Sequence, residues 1–216
     1  MQPKSKGVPP QRLPPSIAGA PKHWTAEIVY LRAPCYSKDL DGDAMKALIM
    51  PRSDMSLTEQ ARTVAGPYNN VKIITISTQS HPANGQHGLF ANQHLLPDTF
   101  ILPYLGFVHG KADTDEASDY DLSLDRDFGI GVDASKMGNE ARFINDYRGV
   151  STSPNAEFRN IYVDIGNGKV EKRMGVFVLS AGKAGKRAKG VLKGQEILVS
   201  YGKGFWTERQ ATEDEG

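Results

Sequence analysis

The sequence predicts a β-rich α+β domain of small sheets, carrying a partly helical N-terminal flank. Three observations lead there. Short β-branched or apolar runs recur from Val71 onward, each closed by Gly, Pro, Asn or Asp. Helix formers gather in only two early stretches, 41–49 and 56–64. No glycine fingerprint opens a helix after a strand, which argues against a doubly wound parallel sheet.

Taken in order, residues 1–22 hold six of the 13 prolines and few large apolar groups. Such a stretch cannot offset its ordering entropy by burial, so a disordered proline-rich tail is expected. Residues 23–69 form the flank, with helices expected over Asp41–Ile49 and Ser56–Val64, the second opened by a Ser56-x-x-Glu59 capping box. Residues 70–206 form the main domain. Its strand candidates are Val71–Ile76, Gly88–Ala91, Thr99–Leu105, Tyr120–Leu124, Ile130–Val132, Ala156–Asn160, Gly175–Leu179 and Ile197–Tyr201. Residues 207–216 read as an acidic tail. Gly129-x-Gly131 lacks a third glycine, and Gly182–Lys186 is followed by Arg187 where a phosphate loop needs Ser or Thr.

Composition excludes several classes. The 216 residues carry a formal charge of +1, so no global field draws the chain to nucleic acid or membrane. Cys35 is the single cysteine, which rules out an internal disulfide framework and a multi-cysteine zinc site. No apolar run reaches spanning length, and the start lacks the apolar region of a secretory signal. A soluble intracellular protein is expected.

Chemistry concentrates in three places: Gly138-Asn139-Glu140-Ala141-Arg142-Phe143-Ile144-Asn145, Pro154-Asn155, and Gly194 through Gly202 followed by Phe205-Trp206. Glycine allows close backbone approach and asparagine offers donor and acceptor together, which suits a small polar ligand. Taken alone, these residues read better as a turn followed by an ordinary amphipathic segment than as a ligand site. In order, type and approximate spacing, however, they resemble the C-terminal half of a SET domain, the catalytic fold of most protein-lysine methyltransferases. That resemblance spans roughly residues 70–206 and implies a knot-like C-terminal core.

It also implies a site. Gln86, His87 and Gly88 resemble the first cofactor-binding turn, with Gly85 displaced by one position from the usual Gly-x-Gly. Tyr120, Arg142, Phe143, Asn145, Asp146, Tyr201 and Trp206 complete the implied site for S-adenosylmethionine, whose product is S-adenosylhomocysteine. Tyr201 and Tyr104 are the implied catalytic pair. Tyr104, Phe158, Val199 and Phe205 are the implied walls of a channel for the target lysine. By analogy with relatives, Phe158 and Val199 would set how many methyl groups the amine can receive, one bulky and one modest residue suggesting one or two.

The chain departs from the family at several points. Pro103 stands where a glutamate usually precedes Tyr104. Asn145-Asp146-Tyr147-Arg148 replaces the usual Asn-His-Ser-Cys, and no cysteine follows Cys35. The five histidines are scattered without zinc-ligand spacing, so no zinc and no metal are expected. Residues Phe205 to Gln210 are left to supply a lid.

The resemblance implies transfer of a methyl group from S-adenosylmethionine to a protein lysine, with a histone tail or nucleosome as the substrate by analogy. A non-histone target, or a non-catalytic interaction module, are the alternatives. Asp113, Asp115, Glu116, Asp119, Asp121, Asp125 and Asp127 form an acidic tract, read first as a solvated face and second as an attractant for a basic tail. Lys183, Lys186, Arg187, Lys189 and Lys193 are read as an exposed insertion or as a weak contact to DNA phosphates. Family habit places such a protein in the nucleus, with the cytoplasm as the alternative.

Overall fold

The computed structural model describes residues 19–55, 61–62 and 66–202. Residues 1–18 of the tail, the Ser56–Glu59 box, Phe205, Trp206 and the acidic 207–216 segment lie outside the described residues. Within the expected tail, residues 19–22 already form part of a turn, with the Pro21 carbonyl accepting from Trp24 N–H at 3.2 Å.

The flank is stitched on by strand pairing more than by helix. It contains β1 (Val29–Tyr30), β2 (Cys35–Tyr36), α1 (Gly42–Leu48), β3 (Ile49–Pro51) and β4 (Ala61–Arg62). Helix α1 starts where the sequence indicates: Asp41 Oδ1 caps it by accepting from Asp43 and Ala44 N–H at 2.9 and 2.7 Å. Its apolar face buries Ala44 and Leu48. Of the second expected helix only Ala61 and Arg62 are described, and there the expectation is corrected: they pair in parallel with Tyr162 and Val163. Helix propensity there yields to the free edge of a long strand.

The remaining strands are β5 (Val71–Thr75), β6 (His87–Ala91), β7 (Phe100–Tyr104), β8 (Phe107–His109), β9 (Asp121–Asp125), β10 (Ile130–Asp133), β11 (Met137–Gly138), β12 (Asn145–Asp146), β13 (Ala156–Gly166), β14 (Lys169–Val178) and β15 (Leu198–Val199). They form small sheets: β1 with β11, β2-β8-β10-β9, β12 with β15, β5 with β6, and β3-β14-β13-β4 with β7 also on β14. The β13–β14 hairpin runs well beyond the two short candidates that mark it. Its turn has Asn167 and Gly168 at φ of 54° and 67°, the left-handed pair that an Asn-Gly hairpin turn requires. Leu48, Leu89, Leu102, Val176, Ile197 and Val199 are fully shielded between these sheets. Burying each such side chain contributes about 1.5–3 kcal/mol.

Two asparagines do the work of missing backbone partners. Asn139, fully buried, accepts from Leu105 N–H at 3.1 Å and donates to the Pro103 carbonyl at 2.8 Å. Asn155 accepts from Leu198 N–H and donates to the Glu196 carbonyl, both at 2.8 Å. Asn155 thereby locks residues 194–199 between β6 and β12. On one side Ile197 N–H donates to Leu89 O at 2.8 Å; on the other, Leu198 and Val199 pair in parallel with Asn145 and Asp146. This threading is the knot-like core, and it delivers Tyr201 to the segment that carries Arg142 and Asn145.

Glu140 ties the flank to that segment. It is 1% exposed and accepts from Tyr30 Oη at 3.1 and 3.2 Å and from Tyr68 N–H at 3.2 Å. Burial raises its carboxyl pKa above the ordinary range, and burial followed by the charge of Glu140 raises both tyrosines. An acid with a raised native pKa favours the fold most below its unfolded value of about 4.3, and that contribution fades as pH rises through the native value. Glu140→Gln keeps an acceptor for both donors without the buried charge. The melting temperature of Glu140→Gln relative to wild type is therefore expected to rise between pH 4 and pH 8, each kcal/mol of relief appearing as roughly 2–4 °C. Thermal scans across that range measure it.

Candidate functional site

A cleft of about 470 Å³ opens where β6, the turn at Glu140–Phe143, β12 and the end of the threaded segment converge. Gln86 and His87 line one wall, Arg142 and Phe143 a second, and Asn145, Asp146 and Tyr201 a third, with Tyr120 at the margin. Gly88 sits just behind, in β6. A Cβ there would meet Glu196 Oε1 at 2.6 Å and Phe90 Cε2 at 3.0 Å, so glycine lets the strand close on Glu196.

Behind the lining, Glu196 joins two of its residues, Asn145 and His81, in a polar chain that spacing in the sequence does not announce. Asn145 Nδ2 donates to Glu196 Oε1 at 2.8 Å and to the His87 carbonyl at 3.3 Å. Glu196 Oε2 lies 3.0 Å from His81 Nε2, both side chains being 8% exposed. Ala83 N–H donates to His81 Nδ1 at 3.0 Å, so the proton of the neutral ring sits on Nε2 and points at the carboxylate. Aromatic edges finish the wall: Phe143 packs edge-on against His87 at 5.7 Å and against Trp24 at 5.4 Å. Thr25 of the flank also lines the cleft.

A second cavity of about 260 Å³ adjoins it, and four residues, Asp119, Tyr120, Arg142 and Tyr201, line both. Tyr104 and Phe158 wall this smaller space, their rings edge-to-face at 5.6 Å. Tyr104 is 6% exposed and donates its hydroxyl to the Tyr120 carbonyl at 2.7 Å. Burial, with the nearby Tyr201 and Asp133 adding to it, holds its pKa well above that of a free phenol, so it stays protonated. Arg142 is wedged at the junction. Its Nε donates to the Ala134 carbonyl at 3.0 Å, and its guanidinium lies 4.5 Å over the Tyr120 ring and 5.1 Å over Phe143.

Tyr201 lies beyond β15 and is held at both ends. Its backbone N–H donates to Asp146 Oδ2 and its hydroxyl to the Ile144 carbonyl, each at 2.7 Å. Asp146 also accepts from Arg148 N–H at 2.8 Å and pairs with the Arg148 guanidinium at 2.8 Å. The carboxylate that stands in the family's histidine position is thus a clasp on the tyrosine strand. Val199 is fully buried in the core and is not among the described residues that line the smaller cavity, whereas Phe158 is. Phe205 and Trp206 lie outside the described residues. Among the described residues no group of three or more His, Cys, Asp or Glu is placed to hold a metal ion.

No curated protein matches the chain. Among solved structures, the Chaetomium thermophilum polycomb repressive complex 2 is similar over 63% of this chain and 16% of that one, at 24% identity and a TM-score of 0.46. The same complex in an autoinhibited conformation bound to S-adenosylmethionine is similar over 69% and 17%, at 24% identity and 0.47. A third structure, in complex with H3K27me3 and H3K27M, is similar over 61% and 14%, at 23% identity and 0.44. This chain therefore spans about a sixth of the length of those chains. The SET domain profile matches residues 86–202, more than half of the sequence and the whole stretch from the first cleft wall to the residue after Tyr201. The chain belongs to the SET domain family.

Proposed function

We propose that this protein is an S-adenosylmethionine-dependent protein-lysine N-methyltransferase. The observation that carries the reading is the pair of cavities meeting at Tyr201, Tyr120, Arg142 and Asp119. One wall shared by two pockets suits a donor and an acceptor that must be brought into line, and positioning of that kind supplies much of a barrier reduction.

The larger cleft lies within the roughly 300–1,000 Å³ of small-ligand sites, and its lining mixes polar groups with aromatic faces. Gln86, His87, Asn145 and Asp146 would hold S-adenosylmethionine through polar and backbone groups, with Phe143, Tyr120 and Arg142 closing over it. When bound, that cofactor supplies a methyl group already activated on sulfur, so the chain needs no covalent nucleophile.

The residues around the smaller cavity prepare an amine. An ammonium entering between Tyr104 and Phe158 loses water, which lowers a lysine pKa from about 10.4 and favours the neutral form. The Tyr104 hydroxyl is committed to the Tyr120 carbonyl, so it shapes the wall and takes no proton. Tyr201 donates to the Ile144 carbonyl, and a hydroxyl so oriented presents oxygen lone pairs to an amine N–H. Asp119 and Asp121 border the same cavity and favour a target lysine in a basic segment. A histone tail is the proposed substrate, with a nuclear location to match, and a basic non-histone protein is the alternative.

Gly88→Ala is expected to displace Glu196 from Asn145 and weaken S-adenosylmethionine binding about tenfold, the equivalent of ~1.4 kcal/mol. Titration calorimetry reads this directly. Mass spectrometry of histone tails, nucleosomes and extract proteins after incubation tests the class and the product together. Lysine mono- or dimethylation is expected. Efficient trimethylation would overturn the restricted pocket set by Phe158, and methylation confined to other residues would overturn the lysine assignment.

A further inference from the structure

One surface is left over once the two cavities are accounted for. Lys183, Lys186, Arg187, Lys189 and Lys193 are all exposed on the loop that leads into the threaded segment. None of them is in an ion pair among the described residues. The Leu95–Val191 bridge lays this loop against residues 92–97, where His94 Nε2 lies 2.6 Å from the Lys189 carbonyl. Neither stretch, 92–97 nor 181–195, contains an Asp or a Glu. The carboxylates next in sequence are engaged elsewhere, Asp98 with Arg159 at 3.0 Å and Glu196 with His81 at 3.0 Å. Residues 181–195 thus carry +5 in a chain whose total is +1, which leaves −4 on the rest.

The loop is built, not trailing. Arg187 N–H donates to the Ala181 carbonyl and its Nε to the Ser180 carbonyl, both at 2.9 Å. Gly190 has φ +62°, and a Cβ there would lie 2.1 Å from the Leu95 carbonyl oxygen, so only glycine lets the loop seat on residue 95. The cations are therefore presented on a fixed platform.

We propose that this platform binds the phosphate backbone of double-stranded DNA. Clustered Lys and Arg without nearby carboxylates are the electrostatic footprint of phosphate binding. Neither stretch contains Phe, Tyr or Trp on which unpaired bases could stack, so a duplex is favoured over a single strand. Exposed Leu96 and Leu192 lie outside any helix, so they do not form the apolar face of an amphipathic helix that a membrane surface would call for. The choice of DNA rests on the lysine-transfer reading, since a basic substrate tail held on DNA would be brought to the acidic cavity by a second contact. Binding itself does not depend on activity.

The test is fluorescence anisotropy of a labelled duplex with the full chain at about 50–200 mM salt, wild type beside K186A/R187A/K189A. Wild type is expected to bind in the range of roughly 10⁻⁴–10⁻⁶ M, with log K falling against log salt by about 0.9 per phosphate neutralised. The triple variant should bind at least about tenfold more weakly with a slope shallower by up to about 2.7. Its transfer to a free histone peptide should be unchanged while transfer to nucleosomes falls. Absent duplex binding at the lowest salt, or binding that the variant leaves intact, would overturn the proposal. So would a preference for phosphatidylserine vesicles or single strands over the duplex. Duplex binding lost in the variant of an otherwise inactive chain would keep the platform and reject only the transferase reading.

Discussion

Tyr201→Phe is expected to reduce methyl transfer by at least about 100-fold, the scale on which losing alignment at a reacting centre is felt. The ring should stay where it is. Its backbone N–H remains pinned to Asp146 at 2.7 Å, and only the 2.7 Å bond from the hydroxyl to the Ile144 carbonyl is removed. One such bond is worth about 1 kcal/mol of stability, so the variant should fold and melt within a few degrees of wild type. S-adenosylmethionine affinity should be little changed, because the polar chain that holds Asn145 through Glu196 and His81 is untouched. Calorimetry paired with turnover measurements separates these effects. A variant that keeps most of its activity would remove Tyr201 from the chemistry.

Asn155→Ala should produce a large loss of stability for a single polar substitution. The side chain satisfies Leu198 N–H and the Glu196 carbonyl at 2.8 Å each. Leaving those two backbone groups without partners costs about 1–3 kcal/mol apiece when buried. Partial access of water at Asn155 brings the expected total to ~2–4 kcal/mol, or a melting temperature lower by roughly 5–15 °C. Loosening residue 196 also loosens its grip on Asn145, so cofactor affinity should fall together with stability. Asn155→Asp makes a sharper control. It retains an acceptor for Leu198 but sets a carboxylate oxygen against the Glu196 carbonyl, and it should be no more stable than the alanine variant.

Much of the site was legible because its residues lie in compact runs. Arg142 through Asp146 are contiguous, and strand pairing of Asn145–Asp146 with Leu198–Val199 is what the two separated motifs encode. His81 and Glu196 were not legible. They meet across 115 positions through the threading of residues 194–199, a long-range event that no local spacing records. Thr25 and Trp24 were hidden for the same reason, since parallel pairing of β1 with β11 carries the flank to the cleft. Val199 lies in the core and not in the described cavity lining. Alternation puts Ile197 and Val199 together in the core, and the chain must leave the strand before Tyr201 can turn outward. The β4 error has a different origin: helix formers at 61–62 were outbid by an available strand edge. The place where the β13–β14 hairpin reverses is marked by Asn167-Gly168, but Asn84-Gly85 carries the same dipeptide, and neither records strand length.

The most direct test of the central claim is transfer of radiolabel from S-adenosylmethionine to core histones, nucleosomes and a cell extract, with wild type and Tyr201→Phe in parallel. Label is expected on a protein lysine and should depend on the Tyr201 hydroxyl. A cofactor that binds stoichiometrically while every substrate stays unlabelled would contradict it, and would identify the cavities as those of a binding module.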